Sequence, residues 1–181
     1  MTIVMDTLDV LRETVKECYG WLEETMNDVT QEQADWRPPG LANPIGAVYA
    51  HTVIDLGMVL NIWIRRRSPL IATDWAGRAG LSEPHAPPPW HDWAARVRVD
   101  LNAFRPYACA VYADVDDYLA SVSAGDLDQG IDMPATAEGR RSVRQVIASV
   151  AVRHTSGHCG EIACLKGLQG AHGYPPLPLD R

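Results

Sequence analysis

Apolar residues recur at steps of three and four along four long stretches of the chain, which is the spacing of one face of an α-helix. The stretches run over about residues 3–27, 44–67, 92–123 and 143–169. Four segments with this period predict an all-α fold, a four-helix up-and-down bundle with long connecting loops. The first stretch shows the stripe most simply, in Val4, Leu8, Leu11, Val15, Cys18, Leu22 and Met26.

Proline- and glycine-rich segments separate these stretches and predict the loops and the C-terminal tail. They cover residues 36–44, 68–90, 125–139 and 170–181. Residues 129–133 could form one short strand. A length of 181 residues is typical of one domain with one hydrophobic core, so we expect a single domain over residues 1–181.

The second stretch is apolar nearly all round and should be the most buried helix of the bundle. Asn43 is a good N-cap residue, and Pro44 suits the first helical turn. At the other end, Arg65, Arg66 and Arg67 form the only tight run of basic residues. These arginines either complement the negative end of the helix dipole or contact an anion or a substrate.

The last two stretches carry local signals for helix ends and bends. Pro106 lies inside the third stretch and should kink or split that helix. Ser142 and Gln145 form a capping-box pattern at the start of the fourth. Interior glycines weaken a helix by about 1 kcal/mol each, so those of the fourth helix indicate close approach of a neighbour or ligand, or tight helix packing. They are Gly157, Gly160 and Gly167.

Charge and hydropathy disfavour several classes of partner. The formal net charge of -7 argues against binding to nucleic acid phosphates. The longest apolar run, residues 45–64, contains Asp55, which argues against a membrane helix. The first ten residues lack the basic and apolar regions of a signal peptide, and the four cysteines form no CxxC pair. We therefore expect reduced cysteines and a cytoplasmic protein.

The main chemical signal is the position of three histidines on faces that should point into the bundle. His154 and His158 are four residues apart on the apolar stripe of the fourth helix, so both imidazoles can reach one ion, as in HExxH metalloenzymes. His51 lies in the most apolar helix and offers a third ligand. Three neutral imidazoles suit zinc, nickel, cobalt or ferrous iron and leave a coordination position open for chemistry. The alternative is a set of core histidines, each with one satisfied hydrogen bond.

Two carboxylates share these faces. Asp55 is one turn after His51, and Glu161 follows His158 by three residues. Each carboxylate could fix a histidine tautomer by accepting a hydrogen bond, or act as a general base on water or a substrate proton. Otherwise Asp55 is a buried hydrogen-bonding residue and Glu161 a solvated charge. The remaining histidines lie in proline- or glycine-rich stretches, where we expect them to be exposed: His85, His91 and His172.

With these residues the chain resembles the DinB-like superfamily, which includes the DinB/YfiT-like metalloenzymes and has a four-helix-bundle fold. The resemblance rests on the segment 46–51 of the second helix, which ends in His51, and on the segment 154–162 of the fourth, HTSGHCGEI. The latter is similar to the family signature HxxxHxGQI or HxxxHxGEI. The order of the helices and the long linker before the third helix also match.

The resemblance implies a divalent metal, commonly nickel or zinc and in a related branch iron, on His51, His154 and His158. It also implies a transferase that uses a low-molecular-weight thiol such as mycothiol, bacillithiol or glutathione. Related branches include thiol-dependent S-transferases and the mycothiol-dependent maleylpyruvate isomerase. A metal-dependent hydrolase and a non-catalytic metal-binding stress protein are the alternatives. Expected partners are a small-molecule substrate or thiol and, through the bundle faces, a second copy of the chain.

Overall fold

Four long helices in the structure correspond to the four apolar stretches. The structure is a computed structural model, and it describes residues 6–85, 90–132 and 139–175. The long helices are α1 (Thr7–Met26), α3 (Ile45–Met58), α5 (Leu101–Ser121) and α8 (Thr155–Leu168). Short helices lie between them: α2 (Gln31–Asp35), α4 (His91–Ala94), α6 (Ala124–Leu127) and α7 (Val143–Ile147). A single 3₁₀ turn covers Leu70–Ala72. The all-α prediction is confirmed.

The long helices pack as a bundle in which α1 and α3 each contact both α5 and α8. Apolar side chains from all four helices close the core. Fully buried examples are Leu22, Ile54, Phe104 and Ile162. Burial of one such side chain stabilises the fold by about 1.5–3 kcal/mol. α3 is buried along nearly its whole length, as its apolar pattern predicts.

α3 differs from its prediction at both ends. Pro44 takes the N-cap position in an extended conformation, so the helix begins one residue later than expected and Asn43 is not its cap. At the other end the chain continues as a π-helix over Val59–Ile64 and does not reach Arg67 as an α-helix. A π-helix is often found at functional sites, since it changes the direction in which the following side chains point.

Two of the three arginines after this π-helix pair with an acidic residue of the chain itself. Arg65 Nη1 lies 2.6 Å from Asp114 Oδ1 on α5, and Arg67 bonds the same oxygen. Burial raises the pKa of Asp114. Hydrogen bonds from Asn61 and the two arginines lower it by more than burial raises it, so the pKa lies below its usual value. Arg66, between them, has a positive φ of 54° and points elsewhere. Two of the three arginines therefore bind an internal carboxylate.

The third predicted helix is two helices, α4 and α5. The chain leaves α4 in a turn, and Val99 then pairs with Leu81 in an isolated antiparallel bridge. Asp100 restarts the helix, because its carboxylate accepts hydrogen bonds from the backbone N–H groups of the first turn of α5. Pro106 lies inside α5, which stays continuous across it. The predicted split at Pro106 is therefore wrong, and the break lies upstream.

The fourth predicted helix has three parts, which are α7, a π-helix over Ala148–His154, and α8. The capping box is confirmed, because the side chains of Ser142 and Gln145 each bond the backbone N–H of the other. The second π-helix ends at His154 and so shifts the helical register directly before the predicted histidine pair.

A short strand forms where the sequence predicts one. β1 (Gly130–Asp132) lies within the predicted range and pairs antiparallel with β2 (Arg140–Ser142). Met133, the end of the predicted strand, lies outside the described residues. The hairpin precedes α7, and Val143 N–H donates to the carbonyl of Gln129, which ties the start of α7 to the strand pair.

Close packing at the glycines of the fourth helix occurs at one position. A Cβ on Gly160 would lie 3.4 Å from the Tyr174 hydroxyl. At Gly157 and Gly167, no described atom lies within 4 Å of the corresponding position. The prediction of close approach by a neighbour is therefore wrong for these two glycines in the part of the chain that the structure describes, and close approach by a ligand stays a prediction.

One helical run among the described residues, Ile45–Ile64, has the length and hydropathy of a membrane span. Its apolar window is 78% buried inside the fold. Such burial is typical of the central helix of a bundle, as the apolar pattern of this stretch predicts.

Candidate metal centre

α3 and α8 bring three histidines together. His51 lies in the middle of α3 and is only 5% exposed. His154 ends the second π-helix, and His158 follows one turn later in α8. One nitrogen from each imidazole lies within 4.8 Å of the others, a spacing that could hold one metal ion. His154 Nε2 and His51 Nε2 are 3.2 Å apart, although 103 residues separate them in the chain.

Burial keeps two of these imidazoles, those of His51 and His154, unprotonated. It lowers the pKa of His51 to about 2, with a further contribution from the neighbouring histidines, of which His154 is the largest. It also lowers the pKa of His154 to about 4, and His158 and Arg153 add to the effect. A metal ligand must present a free lone pair, so these two rings are in the protonation state that metal binding needs at neutral pH.

Asp55 lies beside the cluster, one turn after His51. Its Oδ2 is 3.6 Å from His51 Nε2 and 3.9 Å from His154 Nε2. Burial raises the pKa of Asp55 from 3.8 to about 6, and the charge of His158 opposes part of that rise. A carboxylate with a pKa near neutrality can accept and return a proton under physiological conditions.

Glu161 bonds the outer edge of the cluster. Its Oε2 lies 2.8 Å from His158 Nδ1, so the imidazole N–H donates to the carboxylate. This hydrogen bond leaves the lone pair of His158 on Nε2, which faces the other histidines. Glu161 is thus tied to a histidine ring and is not a freely solvated charge.

His85 is part of the same cluster, contrary to the prediction that it is exposed. Its side chain is only 8% exposed. Its Nε2 lies 3.3 Å from His51 Nδ1 and 3.9 Å from Asp55 Oδ1. His51, Asp55 and His85 form a second group of ligand atoms spaced closely enough for a metal ion. The sequence gives little signal for this residue, because it comes from the proline-rich loop, where no helical period indicates a buried face.

Trp90 covers the ring of His51. The two rings are stacked, with centroids 4.0 Å apart and planes 7° from parallel. The rings of Trp90 and His158 lie edge to face, with their centroids 5.9 Å apart. No pattern in the sequence indicates a role for this residue. The other two histidines outside the cluster, His91 and His172, are exposed as predicted.

One buried atom of the cluster has no hydrogen-bond partner. His154 Nδ1 is shielded from solvent and bonds nothing among the described residues. An unsatisfied buried nitrogen costs about 1–3 kcal/mol. The unpaired Nδ1 and the short distances between ring nitrogens show that the side chains of the cluster do not satisfy all of one another's hydrogen-bonding groups. Three imidazoles with a carboxylate at their edge fit a divalent cation.

Comparison with known families explains the arrangement. A sequence model of the DinB superfamily matches residues 14–162, which is most of the chain. The chain belongs to the DinB superfamily. The matched range contains all the residues of the cluster described above, and the membership confirms the family prediction made from the two histidine segments.

The fold of this DinB-superfamily chain is also found in a solved structure. It is similar to the crystal structure of a conserved protein from Enterococcus faecalis, with a TM-score of 0.69 and 20% sequence identity. The similarity covers 91% of this chain and 98% of that one. At this identity it shows a shared fold alone. No curated protein matches the chain.

Proposed function

We propose that this protein holds a divalent metal ion on His51, His154 and His158, and transfers a low-molecular-weight thiol to an electrophilic small molecule. The observation that carries the proposal is the meeting of three imidazoles from two helices beside a carboxylate, with two of them, His51 and His154, kept unprotonated by burial. Nickel, zinc and iron all accept imidazole ligands. The thiol would be mycothiol, bacillithiol or glutathione, and the reaction would take place in the cytoplasm without nucleic acid or membrane partners.

The bound metal would supply one effect, which is to lower the pKa of the thiol and favour the thiolate. The residues around it have separate tasks. Asp55, whose Oδ2 lies 3.6 Å from His51 Nε2, is placed to accept the thiol proton. The sulfur forms a bond to the electrophilic carbon as the leaving group departs with its bonding electrons. The proton on Asp55 then passes to that group or to water, which restores the carboxylate.

The residues next to the ligands position them. Glu161 accepts the Nδ1–H of His158 and keeps its Nε2 lone pair turned towards the cluster. His85 bonds Nδ1 of His51, which leaves Nε2 of that ring to face His154. Trp90 excludes water from one face of His51. These contacts fix the ring orientations before any ligand binds.

Metal content and thiol conjugation together test the proposal. Protein made without a His tag should contain about one divalent metal ion per chain by elemental analysis. With one of the three thiols it should conjugate 1-chloro-2,4-dinitrobenzene, and removal of the metal by chelation should abolish the reaction. His154→Ala should lose both metal and activity. His172→Ala, which replaces an exposed histidine, should keep both.

The other possible results would indicate a different function or refute the metal site. Ester or amide hydrolysis without any thiol would make the protein a metal-dependent hydrolase. Bound metal with neither reaction would leave a non-catalytic metal-binding protein. Protein that takes up no divalent metal, or His154→Ala protein that retains it, would refute the metal site itself.

A further inference from the structure

An apolar pocket lies alongside α3 and shares one residue, His85, with the chemistry above. Its volume is about 590 Å³, within the range of pockets that bind small molecules. Most of its wall is apolar, from Met58, Ile62, Pro69, Ile71, Ala76 and Leu81. We propose that this pocket binds the apolar body of the electrophilic substrate, with the reactive end of that substrate at the histidine cluster. The assignment of the substrate rests on the proposed function.

The first link between pocket and cluster is the face of α3. His51, Asp55 and Met58 follow one another at steps of four and three, so they share one side of the helix. With a rise of 1.5 Å per residue, Met58 lies roughly 10 Å along the axis from His51 and roughly 4.5 Å from Asp55. The pocket therefore begins where the polar part of this face ends.

The second link is His85. His85 is one of the residues that line the pocket, and its Nε2 is 3.3 Å from Nδ1 of His51. The same residue thus borders the pocket and contacts the cluster. A molecule that filled the pocket would reach His85, the neighbour of His51.

The charges around the pocket favour a neutral ligand. Its polar lining residues, Ser82, Glu83 and His85, are close together in the chain, and the other walls are apolar. The Glu83 carboxylate pairs with Arg96 at 3.1 Å. No lysine or arginine occurs among the described residues that line the pocket. A thiol that carries carboxylates would find no cationic partner there, so the pocket suits the apolar co-substrate better than the thiol.

The pocket can be tested alone, in metal-free protein, with 1-alkanols from butanol to octanol and isothermal titration calorimetry. Each buried methylene should strengthen binding about fourfold until the pocket is full. Ala76→Phe and Ala72→Phe replace exposed residues that line the pocket, and each should weaken octanol binding about tenfold by filling it. Ala120→Phe, at an exposed position of α5, is the matched control and should bind as the wild type does. Affinity that does not depend on chain length, or that is equal in all variants, would overturn the proposal.

The connection to the cluster can be tested with alkanehydroxamic acids and zinc-loaded protein. Acetohydroxamic acid should bind the wild type and Ala76→Phe equally, whereas octanohydroxamic acid should gain affinity in the wild type only. A chain-length gain for alkanols but none for hydroxamic acids would separate the pocket from the cluster and overturn the proposal. If acetohydroxamic acid fails to bind while alkanols bind as expected, the pocket is supported and the proposed metal function is refuted.

Discussion

Two polar clusters lie on different sides of α3, and only one of them satisfies itself. Glu23 Oε1 accepts hydrogen bonds from the hydroxyls of Tyr49 and Tyr112, both at 2.7 Å. On the other side, His51 and His154 meet at 3.2 Å between ring nitrogens, and Nδ1 of His154 has no partner among the described residues. Tyr49 and His51 are two residues apart, so they lie roughly 200° apart around the helix axis.

The difference indicates that the tyrosine network is part of the folded core, whereas the histidine cluster is a candidate ligand site. Burial raises the pKa of both tyrosines, and the nearby Glu23 raises it further, so the hydroxyls stay protonated and serve as donors. This network needs nothing from outside. The histidine cluster instead brings one nitrogen from each of three imidazoles within 4.8 Å of the others and has an orphaned nitrogen, Nδ1 of His154. A polar cluster with that composition is stabilised by a cation.

The largest effect on stability should come from the tyrosine network. Glu23→Ala removes the shared acceptor of two buried hydroxyls, each of which costs about 1–3 kcal/mol when unsatisfied, so the free energy of unfolding should fall by about 2–6 kcal/mol. Denaturant titration measures the loss, and Glu24→Ala, at the exposed neighbouring position, is the control. Metal content should not change. Loss of metal in Glu23→Ala, or unchanged stability, would break the distinction between the two clusters.

The histidine cluster should make the metal-free protein sensitive to acid. In the folded state the pKa values of His51 and His154 are about 2 and about 4, against 6.5 for an unperturbed histidine. Below pH 6.5 the unfolded chain therefore binds protons that the folded chain does not bind. The stability that is present above pH 6.5 is lost as the pH falls from 6.5 towards the folded-state pKa values. Asp55 acts in the opposite direction, because its raised pKa of about 6 lets the folded state take up a proton first.

Two histidines outweigh one carboxylate, so their combined effect should be a loss on the order of 4 kcal/mol by pH 4. Unfolding free energies of metal-free protein at several pH values measure it. Other acidic groups also contribute to acid unfolding, so the informative quantity is the difference between wild type and His154→Gln. The variant should show a shallower decline below pH 6.5. Identical pH profiles would mean that His154 titrates normally and is not buried as described.

The sequence was sufficient to predict the three-histidine cluster but not its full surroundings. His154 and His158 share a helix face by spacing alone, and His51 stands out because its helix is apolar all round. His85 reaches the cluster through a loop, where its position depends on tertiary contacts such as the packing of its ring against Trp93 at 4.8 Å. No periodic pattern reports such a contact.

The four long helices could be predicted from the apolar spacing. The interruptions within the predicted stretches could not. Val97 is buried and fits the three-and-four apolar spacing of the third stretch, although the chain there is not helical. The bridge from Val99 to Leu81 decides the local structure, and it depends on a partner 18 residues away. The two π-helices escape detection for a different reason. A change from i+4 to i+5 hydrogen bonding over one or two turns hardly alters the apolar spacing.

The smallest expected effect concerns the carboxylate that orients a ligand. Glu161→Ala removes the acceptor for His158 Nδ1–H, and loss of such a contact usually weakens metal binding 10–100-fold, or about 1.4–2.7 kcal/mol. Glu161→Gln keeps an oxygen that can accept the same N–H, so it should bind metal more tightly than Glu161→Ala. Competition with a chelator of known affinity measures both. Equal affinities for wild type and Glu161→Ala would show that the 2.8 Å contact does not orient His158, and the cluster would then owe its geometry to helix packing alone.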